Sequence, residues 1–180
     1  MKIYLIRHGQ TDRNKQKRLQ GRNGLPLNQE GVSQAKLLSQ KLKDVKFDFV
    51  YSSPQQRAVD TATIVTNKQP IIDNRIDVFD LGSADGLLVE EAIAFFKVIP
   101  DPTVYEGVEI IDDFIKRVYD FMDELVTKYK DQNVTIAICG HKCTTGCMSA
   151  YFEGMPKDKN FLNLSVKNGD CKIYEYPFGN

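Results

Sequence analysis

The apolar positions change period repeatedly along the chain, and each change marks an element. Residues 2–6 (Lys2-Ile3-Tyr4-Leu5-Ile6) are almost continuously apolar and β-favouring, which predicts a buried strand. In residues 29–43, Val32, Ala35, Leu38 and Leu42 recur at helical spacing. Residues 47–51 (Phe47-Asp48-Phe49-Val50-Tyr51) predict a second strand, and Pro54 suits the first turn of a helix running to about residue 66. The strongest helical stripe lies in residues 108–130, where Ile111, Phe114, Ile115, Val118, Phe121, Met122 and Leu125 share one face. Residues 133–139 predict a strand, 144–152 a helix and 171–176 a late strand, placed at an edge. Residues 82–107 are the least patterned. Their apolar members, among them Leu87, Leu88, Ile93, Phe95 and Phe96, are assigned to a helix packed into the core, with a pocket lining as the alternative. Strand and helix alternate through most of the chain, which argues for an α/β layer fold around a mostly parallel sheet.

Composition narrows the class. The chain has 180 residues, enough for one core, so a single domain spanning 1–180 is expected. Lys plus Arg equals Asp plus Glu at 24 each, so no global field draws the protein to nucleic acid or to a membrane surface. No apolar stretch is long enough to cross a bilayer, and the run before Arg7 is too short for a signal peptide, so a soluble, cytoplasmic protein is expected. Three of the four cysteines, Cys139, Cys143 and Cys147, are four residues apart, which is not a usual zinc spacing. They and Cys171 read as reduced thiols that pack as small apolar groups; Cys143, nearest the candidate site, is the one with a case for reactivity. Oligomeric state is left open.

Ligands of open α/β folds sit beyond the carboxyl ends of strands. Two predicted strand ends carry the chain's only histidines. The first strand runs into Arg7-His8-Gly9, and the 133–139 strand runs into Gly140-His141. Phosphoryl transfer needs a nucleophile, cationic donors for the equatorial oxygens and a proton for the leaving oxygen. A neutral imidazole can be the nucleophile. Arginine holds two phosphate oxygens with its planar fork and, when close, disfavours the imidazolium.

Arg7-His8-Gly9-Gln10-Thr11 resembles the opening signature of the histidine phosphatase superfamily, the phosphoglycerate mutase-like group. Ser52-Ser53-Pro54 with Arg57-Ala58 and Thr61-Ala62 resembles its second motif, and Gly140-His141 its third. The resemblance covers nearly the whole chain. It implies a three-layer sandwich with a mostly parallel central sheet. It implies that His8 is the nucleophile, that Arg7 and Arg57 bind the transferring phosphoryl group, and that His141 donates a hydrogen bond to it. Asn14, Gln20 and Gly21 sit where the family places further phosphate-binding groups. No metal or other cofactor is implied. Without these motifs, Arg57 reads as a solvated helix residue and Asn14 and Gln20 as loop caps. Lys15, Lys17, Arg18 and Arg22 make a basic cluster suited to steering anions, or simply a solvated loop.

The pattern breaks at the family's proton-donating glutamate. The segment Arg75-Ile76-Asp77-Val78-Phe79-Asp80-Leu81-Gly82 puts Val78 at that position. Asp80 is the first candidate to replace the acid and Asp77 the second. Otherwise the enzyme works best on good leaving groups, or the chain binds a phosphorylated ligand without turnover. Gly24 stands where an acidic or amide residue is common, and Lys142 follows His141 where glycine is common. The leading expectation is a phosphomonoester hydrolase acting on a small phosphorylated metabolite, since no insert long enough to shut water out lies between residues 82 and 108. A phosphoglycerate mutase and a non-catalytic binding protein are the alternatives.

Overall fold

In the first strand, Ile3 and Leu5 face one side of the sheet, and Tyr4 and Ile6 face the other. That period-two alternation within an all-apolar run is what a strand covered on both faces requires. The computed structural model describes residues 1–96 and 98–177. Its main sheet has five strands in the order β3-β2-β6-β1-β7: β1 (Lys2–Arg7), β2 (Phe49–Ser52), β3 (Ile71–Ile72), β6 (Thr135–Gly140) and β7 (Cys171–Glu175). All pairings are parallel except β7, which runs antiparallel to β1 at the edge.

One face packs against α2 (Gln29–Lys41) and α3 (Gln56–Thr66), through Ala35, Leu38, Ala58, Ala62 and Val65. The other packs against α4 (Ile111–Tyr129) and α5 (Lys142–Glu153), through Phe114, Val118, Phe121, Met122, Cys147 and Met148. The result is the three-layer α/β sandwich the pattern and the resemblance imply. Among the described residues no helix is long and apolar enough to cross a membrane.

The structure departs from the sequence reading in three places. Helix α3 begins at Gln56 rather than at Pro54, with Gln55 as its N-cap. The short α1 (Asp12–Lys15), capped by Thr11, and the two-residue β3 escape a periodicity reading because they are too short to show a period. Most substantially, no helix forms in the described part of residues 82–107. Instead there is a 3-10 turn at Gly82–Ala84 and a minimal hairpin of β4 (Ala94–Phe95) and β5 (Ile99–Pro100). Ile93 and Phe95 are exposed, whereas Ile99 is buried. Gly82 explains part of this. It sits at a φ of +50°, and a Cβ there would lie 2.1 Å from the Glu106 carbonyl oxygen. That close approach turns the chain out of any continuing helix.

Candidate active site

β1 and β6 are adjacent and parallel, so their carboxyl ends emerge side by side. The His8 N–H donates to the Gly140 carbonyl at 3.0 Å, and the His8 and His141 ring centres are 5.1 Å apart. Two histidines 133 positions apart in sequence thus share one site because the sheet orders their strands as neighbours. Both open onto a cavity of about 900 Å³, together with Arg7, Asn14, Gln20, Val78, Phe79, Leu88, Lys142 and Asn168.

The backbone fixes the state of His8. Its Nδ1 lies 2.7 Å from the Gly9 carbonyl oxygen. A carbonyl only accepts, so Nδ1 carries the proton and Nε2 of the neutral ring keeps its lone pair. Burial first, then the positive charges of Arg57 and Arg7, holds the His8 pKa well below the usual histidine value. Gly9 is required because the turn packs backbone on backbone; a Cβ there would lie 2.3 Å from the Gly31 carbonyl oxygen.

His141 is held by the second motif. Its Nε2 is 2.8 Å from Ser53 Oγ, which lies 3.3 Å from Asp77 Oδ1. That carboxylate oxygen already accepts from Gln55 Nε2 at 2.9 Å and from the Val78 N–H at 2.7 Å. With the Ser53 hydroxyl donating to Asp77, His141 Nε2–H donates to Ser53; with the hydroxyl turned to Nε2, the ring proton moves to Nδ1. Burial and then Arg57, His8 and Arg7 also push the His141 pKa well down.

The arginines are unusually dry. Arg57 is 2% exposed, its Nη2 donating to the Gly21 carbonyl at 3.0 Å and its Nη1 to Gln55 Oε1 at 3.4 Å. Arg7 Nη1 donates to the Val166 carbonyl at 3.2 Å. Burial lowers both guanidinium pKa values to about 10, which still leaves them charged near neutrality. Arg7 Nε, Arg57 Nε and His141 Nδ1 are all buried with no hydrogen-bond partner among the described residues. Buried polar atoms are costly to leave unmet; Arg7 and His141 line the cavity, Arg57 does not, and together they make a dry polar cradle beside His8. Gly24 makes room for the Arg57 guanidinium: a Cβ there would fall 2.1 Å from Arg57 Nη1.

The amides around the cradle divide their work. Asn14 Oδ1 receives the Thr11 N–H and hydroxyl, each at 3.1 Å, and Asn168 Nδ2 at 3.4 Å. Its oxygen is thereby turned into the loop and its amino group left free on a residue that lines the cavity. Gln20 is held the same way, its Oε1 accepting the Leu25 N–H and competing with Asn14 Oδ1 for the single Thr11 hydroxyl proton. Gly21 does not line the cavity; its N–H goes to Asp85 Oδ1 and its carbonyl to Arg57. Asn168 is the residue that sequence reading missed. Its Nδ2 also reaches the His8 carbonyl at 3.0 Å and the Gly9 carbonyl at 3.5 Å. Its only sequence signal is the Asn168-Gly169 turn before β7, where Gly169 has a φ of +66° and gives its N–H to the Arg7 and His8 carbonyls.

The acid candidates are placed apart from this group. Val78 lines the cavity, and neither Asp77 nor Asp80 does. Arg22 pairs with both, at 3.4 Å to Asp77 and 3.0 Å to Asp80, and Asp80 Oδ1 also accepts the Gly82 N–H. Arg117 from α4 clamps the segment by donating to the Arg75, Asp77 and Val78 carbonyls. Cys143 also lines the cavity, but its thiol is buried, receives the Phe79 N–H and has a pKa pushed up by burial. That disfavours the thiolate and the reactivity its position suggested. The four cysteines are free thiols, and no three His, Cys, Asp or Glu side chains gather as a metal site among the described residues.

A neutral imidazole with an open Nε2 therefore stands among dry arginines at the carboxyl end of a mostly parallel sheet. A family model, the histidine phosphatase superfamily (branch 1), matches residues 3–179, and the chain belongs to that family and is a histidine-type phosphatase. It is 32% identical over 183 residues to phosphoserine phosphatase 1 of Hydrogenobacter thermophilus, covering 96% of this chain and 85% of that protein. It is also 32% identical over 143 residues to the uncharacterized phosphatase PhoE of Bacillus subtilis, covering 77% of this chain and 71% of the relative. Among solved structures, the phosphoserine phosphatase of Entamoeba histolytica in complex with 3-phosphoglyceric acid superposes with a TM-score of 0.80 at 23% identity, over 99% of this chain and 92% of that one, a likeness of fold.

Proposed function

We propose that the protein hydrolyses a small phosphomonoester through a phosphohistidine at His8. The observation that carries this is the Nδ1–Gly9 bond, which leaves Nε2 as the free nucleophilic nitrogen beside unmet buried donors. His8 Nε2 attacks phosphorus and the ester oxygen leaves with its electron pair. Arg7, Arg57, His141 Nδ1 and the Asn14 amino group take up the charge on the phosphoryl oxygens. Water then attacks the phosphohistidine, releasing inorganic phosphate and restoring the neutral ring. Hydrolysis is favoured over mutase return because the cavity reaches solvent, its lining including the exposed Lys17, Arg18 and Glu90.

The leaving oxygen meets a different wall. Val78 offers no proton there, and Asp80 and Asp77 are committed to Arg22. For Asp80 to serve as the acid, the Arg22 pair has to open. We therefore propose that the enzyme works best on leaving groups that depart with little protonation, such as aryl oxides. Similarity to phosphoserine phosphatases supports a small phosphorylated metabolite as substrate. Free thiols and the absence of a spanning helix among the described residues fit a cytoplasmic setting. The test is hydrolysis of phenyl phosphate by wild type and His8→Ala side by side. Activity lost in the variant is the expected result; equal rates contradict the mechanism.

A further inference from the structure

Resting on the phosphatase reading, the charges on the cavity wall say something further about its substrate. A phosphomonoester carries close to two negative charges near neutrality. Arg7 and Arg57 match them, since both histidines are neutral. The same cavity is also lined by Lys17, Arg18 and Lys142, against the single carboxylate of Glu90. Three cations against one anion leave two positive charges that the phosphoryl group does not need.

Lys142 is the most committed of the three. It is the first residue of α5, directly after His141, and is only partly exposed. Its amine has no hydrogen-bond acceptor among the described residues. Burial and the charge of Arg7 push its pKa below the usual lysine value, so an isolated ammonium is held there at a cost. Arg18, by contrast, already donates from Nη1 to the Gly86 carbonyl at 2.9 Å. The same cavity also has apolar lining, through Val78, Phe79, Leu81, Leu88 and Val98. We infer that Lys142, with Lys17 and Arg18 lining the same cavity, forms a second anion subsite, so that the preferred substrate is a phosphomonoester whose leaving group itself carries an anionic group and an apolar body. A carboxylate and a second phosphate present the same chemistry to a lysine, which binds as a point charge.

The experiment compares leaving groups of one size that differ in charge: the 3- and 4-carboxyphenyl phosphates against the 3- and 4-carbamoylphenyl phosphates, with 1,3-phenylene bisphosphate as the second-phosphate arm. Wild type, Lys142→Met and Lys142→Arg are assayed for kcat/KM. Wild type is expected to favour at least one charged leaving group over its carbamoyl counterpart by about tenfold or more. Lys142→Met should erase most of that ratio and Lys142→Arg should keep most of it. The bisphosphate arm shows which anion is preferred. Equal kcat/KM for charged and neutral leaving groups in wild type overturns the subsite, as does a preference that Lys142→Met leaves intact. A ratio lost in both variants overturns it too, because it points to proton donation by the lysine rather than to charge. A wild type that hydrolyses none of the five compounds overturns the phosphatase reading itself.

Discussion

The two ends of the cavity are built on opposite principles. At the end holding the two histidines the groups are charged or polar, and four of them are tied to backbone: the buried His8 to Gly9 and Arg57 to Gly21, the half-buried Arg7 to Val166 and Asn14 to Thr11. The rest of the lining includes Val78, Phe79, Leu81 and Leu88, with charge, among the described residues, on Lys17, Arg18, Glu90 and Lys142, and the proposed mechanism gives it to the leaving group. In the proposed mechanism the first end stabilises a transition state whose charge distribution is the same for every phosphomonoester. The second meets whatever the substrate brings. Preorganisation belongs where the chemistry is constant, and the wall facing the variable group is free to differ.

Breaking the constant end should give the largest effects. His8→Ala is expected to reduce phenyl phosphate hydrolysis by at least about 10³-fold, the scale of a lost nucleophile. Arg57→Lys keeps the charge but loses the fork, and should cost about 10²-fold in kcat/KM, measured on the same substrate. Val78→Glu sharpens the comparison from the other side. It places a carboxyl on the cavity wall and should raise the rate on an alkyl phosphate by roughly 10²-fold while changing phenyl phosphate far less. Equal gains on both substrates sink the missing-acid explanation.

Smaller effects test how the phosphoryl end is held. Asn168→Ala and Asn14→Ala are each expected to cost about tenfold in kcat/KM, with the double variant losing clearly less than the product of the two, because Asn168 acts partly through Asn14 and partly through the His8 turn. Additive losses contradict that coupling. The smallest effect is on stability. Both histidines have folded pKa values below 6.5, so as pH falls the unfolded chain takes up protons first. Stability present above pH 6.5 should be lost below it, lowering the thermal midpoint by at least about 2 °C between pH 7 and pH 5, with a shallower slope in His8→Asn.

How much of this was legible in the sequence follows the same division. The apolar runs of β1 and β6 and the long stripe of α4 are periodic over enough residues to announce themselves, and both histidines follow a strand directly. The contacts that orient the site were not legible. Asn168 reaches His8 across 160 positions through the antiparallel docking of β7 on β1, and Gly24 matters only because Arg57 folds against it. Residues 82–107 misled because Leu87, Leu88, Ile93, Phe95 and Phe96 look like core, whereas the Gly82 turn brings Leu88 to the cavity and leaves Ile93 and Phe95 exposed. Val78 was legible as a departure from the family. That it faces the cavity while its acidic neighbours do not is information only the fold supplies.

The central claim is the covalent intermediate, and rapid quenching with ³²P-labelled phenyl phosphate tests it most directly. Wild type should trap label that is stable to alkali and labile to acid, as a phosphorylated imidazole is, mapping to the peptide containing His8 and absent from His8→Ala. Label on any other residue, or turnover in wild type with no trapped label and undiminished in His8→Ala, would contradict the account.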